Sequence, residues 1–253
     1  MLLAIDIGNT RIKAAVFEEN TLLEVLFFSK EALQKKVQSI LKTHPKITDL
    51  IVASVGEIGR EDFLMWDKRV KIHFVAHTTS FPFQNHYATP QTLGIDRMVL
   101  ATGAVLQFPN QNRLVIDAGT CITYDFVDAN DVYYGGAISP GIRLRYEALH
   151  QYTAKLPLLN IESMKQGDNQ DTAPYLIGTT TQESIHSGVV NGVVNEIDGF
   201  INEYQAVFPN FIIILTGGDT DFLAKRLKNT IFANSNFLLE SLNQTYQYKI
   251  KND

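Results

Sequence analysis

Apolar positions along this chain follow two patterns: short runs bounded by turn residues, and longer stretches that recur every four residues. Residues 3–17 set one apolar run on each side of Asp6, Gly8, Asn9 and Thr10. More than a hundred residues later, residues 114–127 repeat the layout, with Asp117, Gly119 and Thr120 at the same offsets as Asp6, Gly8 and Asn9 and with Thr123 further along. Each segment predicts a strand, an Asp-x-Gly-polar turn and a second strand. Between the two copies, residues 48–55 and 70–77 read as further strands. Ser29 is placed to cap a helix whose apolar face is Leu33, Val37, Ile40 and Leu41.

Residues 81–94 hold Pro82, Asn85, Pro90 and several aromatics, the composition of a shaped loop. A helix is predicted from about Ile95, with Met98, Ala101, Val105 and Phe108 on one side and a boundary at Pro109 and Asn110. Residues 135–141 (GGAISPG) read as a turn-rich passage before a helix that begins near Ile142. Residues 165–174 are polar and are expected to be mobile. From Thr180 onward, Ile185, Val189, Val193, Ile197, Ile201 and Tyr204 predict one long helix, on which Gly188 and Gly192 would admit another backbone. Residues 211–219 predict a strand running into the turn Thr216-Gly217-Gly218-Asp219. The repeated hairpin divides the chain near Pro109 into two α/β halves, 1–109 and 110–253. A ligand is expected in the cleft between them.

The turn chemistry suggests what that ligand is. A turn of this kind aims several backbone N–H groups at one point, where an anion can sit. Its Asp can hold a cation opposite the anion, and Lys13 can neutralise phosphate charge. Used twice, the device grips a polyphosphate from two sides. The bland alternative for either copy alone is a tight hairpin, because Asp, Gly and Asn are common turn residues. In the segment Leu93-Gly94-Ile95-Asp96-Arg97, Asp96 is the acid–base candidate. A helix start favours its ionised form, and an ionised carboxylate accepts the proton of an attacking hydroxyl in phosphoryl transfer. Arg97 can pair with a substrate carboxylate or with developing phosphate charge. The plainer reading of the pair is a helix-capping aspartate beside a surface arginine. The glycines of the 216–219 turn would let the backbone pass close to an adenine or ribose, or simply end a strand.

Composition narrows the classes. The chain has 253 residues, 45% apolar and 19% charged, the balance of a folded globular protein. A net charge of −5 gives no reason to expect nucleic-acid binding. The single cysteine, Cys121, rules out an internal disulfide and a cysteine zinc site, and suits a reducing cytoplasm. No secretory signal is visible, and no apolar run approaches the roughly 20 residues of a membrane span. The six histidines have no metal-ligand spacing, and no G-x-S-x-G elbow supports a serine hydrolase.

Taken in order, these motifs resemble the type III pantothenate kinases of the acetate and sugar kinase, heat-shock 70 and actin superfamily. Asp6 to Lys13 (D-x-G-N-T-R-I-K) resembles that family's first phosphate motif. Tyr87 and Pro90 ahead of Leu93-Gly94-Ile95-Asp96-Arg97, then Asp117-Ala118-Gly119-Thr120 with Thr123 and Asp125, resemble the next two. Gly135-Gly136 with Ile138, Pro140 and Gly141, then Thr153-Ala154 with Leu156-Pro157, Gly178 with Thr181, and Thr216 to Asp219 follow in family order. Three positions depart from the pattern: Cys121 replaces a usual Ala, residues 55–60 lack a proline, and Ser241 stands where Gly is common, so a last turn there would differ.

The resemblance implies two similar actin-like, ribonuclease H-like α/β halves. It implies ATP held by Asp6, Ile7, Gly8, Asn9, Thr10, Arg11, Ile12 and Lys13, by Thr120, and by Gly217 and Gly218. Magnesium would lie near Asp6, directly or through water, and a monovalent cation, potassium or ammonium, at Asp117. Pantothenate would be lined by Tyr87, Gly94, Ile95, Asp96, Arg97 and Thr181, with Asp96 as the base for its 4′-hydroxyl. It also implies a cytoplasmic homodimer serving coenzyme A biosynthesis. Two rivals remain: a kinase or phosphohydrolase acting on another small molecule, and a non-catalytic regulator, since relatives have been described as accessory transcription factors.

Overall fold

The computed structural model describes residues 1–54, 58–66, 68–166, 176–208 and 210–252, with the backbone alone at 165, 166 and 252. The predicted end of the 48–55 strand and most of the polar stretch 165–174 lie outside the described residues. In chain order the elements begin with β1 (Leu2–Ile7), β2 (Ile12–Glu18), β3 (Thr21–Phe28), α1 (Leu33–Thr43), β4 (Asp49–Ser54), β5 (Lys71–Phe74) and β6 (Gln84–Asn85). Next come α2 (Ile95–Gln107), β7 (Asn112–Ala118), β8 (Cys121–Val127), β9 (Val132–Pro140) and α3 (Ile142–Gln151). The chain continues with α4 (Thr181–His186), α5 (Gly192–Val207), β10 (Phe211–Thr216), α6 (Thr220–Ala224), β11 (Phe232–Ala233) and α7 (Phe237–Asn252).

Packing gathers these into two compact units. The first contains Met1–Arg113, Asp125–Gly135 and Asn236–Asp253; the second contains Leu114–Tyr124 and Gly136–Ser235. The first unit is built on a sheet of order β3-β2-β1-β4-β5. Its β1, β2 and β3 are antiparallel neighbours, whereas β1, β4 and β5 run parallel. β1 is buried at all six positions, the mark of a strand covered on both faces. Leu33, Val37, Ile40 and Leu41 of α1 are buried against this sheet, as their spacing predicts. The helix is entered through a 3-10 turn, Lys30–Ala32, and Ser29 makes no side-chain cap bond.

Helix α2 begins at Ile95 as predicted, but it buries ten of its thirteen residues rather than one face. Helix α7 lies against it and against β1, β2 and β4. Ser241, expected to mark a turn, instead lies inside α7, where its buried Oγ donates to the Phe237 carbonyl at 2.6 Å. The loop predicted for residues 81–94 is pinned by β6, which pairs in parallel with the start of β9 through Gln84↔Val132 and Asn85↔Tyr133.

The other sheet has six strands in the order β11-β10-β7-β8-β9-β6. The passage read as turn-rich is in fact strand β9. Its burial alternates, with Tyr133 and Gly135 inside and Tyr134 and Gly136 outside, and that two-residue period carries more weight than its glycines. The long helix predicted from residue 180 is present but interrupted by a π turn, Ser187–Asn191. Buried Ile185, Val189, Val193, Ile197 and Ile201 recur every fourth residue, which slips around a helix of 3.6 residues per turn. A wider π turn absorbs part of that slip and keeps the face inward.

Candidate active site

In the first unit, β1 and β2 form the predicted hairpin. Their closing pair is Ile7↔Ile12, so residues 8–11 make the loop. Asp6 faces Lys13 across the strands and is only 6% exposed. Ile7 and Ile12 have fully buried side chains and can offer a ligand only their peptide groups. Asn9, Thr10 and Arg11 are exposed at the loop. The Arg11 guanidinium lies 4.7 Å from the ring centroid of Phe27 in β3, a cation–π contact that holds it beside the loop.

The second unit holds the turn of the other hairpin, with Leu114–Ala118 of β7 and Cys121–Tyr124 of β8. Asp117 sits one residue before the end of β7, as Asp6 does in β1, but the turn is only Gly119-Thr120. The two copies thus share the placement of the acid and differ in loop length. Two other segments rest on this turn. Gly141 donates its N–H to the Thr120 carbonyl at 3.0 Å, and Asp219 donates to the Ala118 carbonyl at 3.0 Å.

Gly217 has φ +100° and lies so close that an added Cβ would sit 2.5 Å from Asp117 Oδ1 and against the Ala118 carbonyl. The space its missing side chain provides is therefore filled by the second hairpin, while Gly218 is exposed. The hydroxyls of Thr123 and Thr216 are buried without a hydrogen-bond partner among the described residues. The Asp117 carboxylate and the Ala118 carbonyl, both beside Gly217, are oxygen donors of the kind a hard cation takes. Asp6, a single carboxylate beside the 8–11 loop, fits magnesium, which is commonly held by one or two carboxylates plus phosphate oxygens. Thr181 is the exposed first residue of α4, whose cap Thr180 accepts the Glu183 N–H at 3.2 Å.

The acid–base candidate, Asp96, lies in the first unit at the start of α2. Gly94 occupies the cap position, so Asp96 is inside the first turn and is not the cap. Its Oδ1 accepts the Arg97 backbone N–H at 2.8 Å. Burial raises the Asp96 pKa above that of an ordinary carboxylate; the Arg97 N–H opposes this, the negative Asp125 adds to the rise, and the Arg97 charge opposes it. The helix start alone favoured the ionised form, but burial outweighs it. The outcome is a stronger base.

Arg97 is only 5% exposed. Its Nε donates to Asp125 Oδ1 at 2.8 Å, and its terminal nitrogen lies 2.7 Å from the same oxygen. Burial alone would lower the Arg97 pKa, but the hydrogen bond and charge of Asp125 raise it. The Tyr133 hydroxyl donates to Asp125 Oδ1 at 2.5 Å. Tyr87 completes the cluster, its ring centroid 5.8 Å from the Arg97 guanidinium carbon and 6.4 Å from the Tyr133 centroid. Motif reading named Asp125 without giving it a role and passed over Tyr133. The available signal was a carboxylate inside the apolar run Tyr124 to Val127, since a buried charge needs partners.

With the geometry established, comparison with known proteins identifies the kinship. A family model described as type III pantothenate kinase matches residues 2–203. A type III pantothenate kinase of Flavobacterium johnsoniae is 64% identical over 253 residues, covering 100% of both chains. Among solved structures, a Campylobacter jejuni protein described as a candidate Baf family transcriptional activator superposes with a TM-score of 0.62. It is 19% identical and covers 98% of this chain and 99% of its own. A glucokinase from an Antarctic psychrotroph gives 0.54 at 12% identity, covering 98% of each chain. At such identities the two structures speak for the actin-like α/β fold alone.

Proposed function

This chain belongs to the type III pantothenate kinase family and phosphorylates pantothenate with ATP in coenzyme A biosynthesis; from that premise we propose how its own residues do so. The loop of residues 8–11, flanked by Asp6 and Lys13, takes the ATP phosphates through peptide N–H groups and the Thr10 hydroxyl. Thr120, Gly217 and Gly218 are assigned to ATP on the family motifs they match. Magnesium at Asp6 supplies charge neutralisation for the phosphates when bound. Potassium or ammonium is assigned to Asp117. Tyr87, Gly94, Ile95, Arg97 and Thr181 orient pantothenate, and Asp96 takes the proton of its 4′-hydroxyl as that oxygen attacks the terminal phosphate.

The observation that carries this reading is the Asp96 environment. A carboxylate whose basicity is raised by burial accepts a proton nearer neutral pH, where a general base works best. Positioning and charge stabilisation supply most of the remaining acceleration. The division into halves at Pro109 follows the repeated hairpin and describes kinship within the sequence. Compactness groups Asn236–Asp253 with the first unit.

We assign a homodimer on the apolar side chains the second unit leaves outside: Tyr152 (86% exposed), Leu176 (82%) and Ile177 (79%). Gly188 and Gly192 add backbone open to close approach. A cytoplasmic location agrees with a single cysteine, and no helix among the described residues is long and apolar enough to cross a membrane.

The test is ADP release from purified protein with MgATP and pantothenate, in potassium and in sodium alone, for wild type and Asp96→Asn. Potassium-dependent release that Asp96→Asn reduces at least about a hundredfold is expected, the usual scale for a lost general base. Near-wild-type turnover in Asp96→Asn would sink the base assignment, and indifference to potassium would remove the Asp117 role.

A further inference from the structure

Asp125 is fully buried, and its two oxygens are treated unequally. Oδ1 accepts from Arg97 Nε and the Tyr133 hydroxyl at 2.8 and 2.5 Å, while the Arg97 terminal nitrogen lies 2.7 Å away as an ion-pair contact only. Oδ2 is buried with no hydrogen-bond partner among the described residues. An arrangement kept for stability alone would satisfy both oxygens. An apolar replacement of the whole pair would be about as stable or more so. A buried charge pair with an unsatisfied atom therefore points to work done elsewhere, and its neighbours show where. Arg97 is covalently next to Asp96, and its own N–H binds the Asp96 carboxylate.

We propose that Asp125 is a positioning residue for phosphoryl transfer: with Tyr133 it clamps the Arg97 side chain, and through it fixes the Asp96 carboxylate toward the acceptor hydroxyl. This deepens the function proposed above and rests on Asp96 being the base. The charged groups that act on Asp96 are Arg97 on its own helix and Asp125 on β8, with Tyr133 on β9 bonded to Asp125 and Tyr87 on the 81–94 loop against Arg97. Asp125 is the one that offsets Arg97. Without its negative charge the guanidinium would act on Asp96 unopposed, favour the ionised form and make a weaker base. The clamp also holds Arg97 through its Nε, so the guanidinium meets substrate from one orientation.

The experiment follows kcat/KM for pantothenate across the acid range at saturating ATP, with thermal unfolding alongside. It uses wild type, Asp96→Asn, Asp125→Asn and Tyr133→Phe. Asn keeps the shape of Asp125 and removes the charge. In Asp125→Asn the acid limb of the profile is expected to move down by about one pH unit, the scale set by one neighbouring charge. Its plateau is expected to drop about tenfold or more.

Tyr133→Phe removes one hydrogen bond worth about 1 kcal/mol, so a loss of about fivefold is expected with the KM for ATP unchanged. This variant decides the matter if Asp125→Asn does not fold. A folded Asp125→Asn with an unmoved limb and kcat/KM within about twofold of wild type overturns the proposal. So does an unaltered kcat/KM in Tyr133→Phe. Turnover with the limb intact in Asp96→Asn overturns the base assignment and the Asp125 role with it. A limb abolished in Asp96→Asn but unmoved in Asp125→Asn overturns the Asp125 role alone.

Discussion

Replacing Gly217 by alanine is expected to damage the second hairpin through two separable effects. At φ +100° an L side chain strains the backbone by about 1–2 kcal/mol. The new methyl would also stand 2.5 Å from Asp117 Oδ1 and against the Ala118 carbonyl, and overpacking of that kind costs about 1–3 kcal/mol. Reduced freedom of the unfolded chain returns about 0.4–1 kcal/mol. The net loss is about 1–4.5 kcal/mol, or roughly 2–18 °C in melting temperature for a chain of this size. Gly141→Ala separates the two effects. Its φ of −70° suits any residue, yet its added Cβ would lie against the Gly119 carbonyl and 2.7 Å from the Thr120 carbonyl, so it carries the crowding without the strain. Thermal unfolding of both variants, with ADP release titrated against potassium, measures the difference. Gly217→Ala is expected to melt lower than Gly141→Ala and to need several-fold more potassium for half activity. Equal melting temperatures would refute the strain argument, and an unchanged potassium response would refute the coupling of Gly217 to Asp117.

Two further outcomes follow from the raised Asp96 pKa. Catalysis needs the ionised base, so kcat/KM should fall as pH drops through a midpoint above the ordinary carboxylate range, and a pH–rate profile with that midpoint near 4 would contradict the burial argument. Stability runs the other way: folding favours protonated Asp96, a contribution complete below the unfolded pKa and lost as pH rises through the folded one. Asp96→Asn should therefore melt above wild type at neutral pH, with the gap closing toward acid, and a lower melting temperature at neutral pH would count against this.

The legible parts of the fold and site were those written in short stretches. Asp6 and its loop, Asp117 and its turn, and the start of α2 at Ile95 each rest on neighbours within a few residues. What escaped reading depends on partners far along the chain. Arg97 and Asp125 are 28 residues apart, so nothing local marks Arg97 as buried and paired rather than outward-facing. Burial likewise reversed the expectation for Asp96, because a helix start reports only the local dipole. Strand β9 was hidden by glycines that turn rules weigh heavily, and the π turn by a repeat that an uninterrupted helix also explains.

Helix α7 carries a consequence for how the protein is made. Asn243 donates to the Glu19 carbonyl, which sits at a positive φ in the β2–β3 turn, across 224 residues of chain. Phe237, Leu239 and Leu242 are buried alongside. A ribosome adding about 5–20 residues per second delivers the 8–11 loop roughly 10–45 s before the helix that covers its sheet. Over that interval the apolar surfaces of β1, β4 and α2 are left without their cover. The segment of the enzyme synthesised first is thus among the last to become structured, and a nascent chain stalled before residue 236 is the state in which holdase chaperones would find the most to bind.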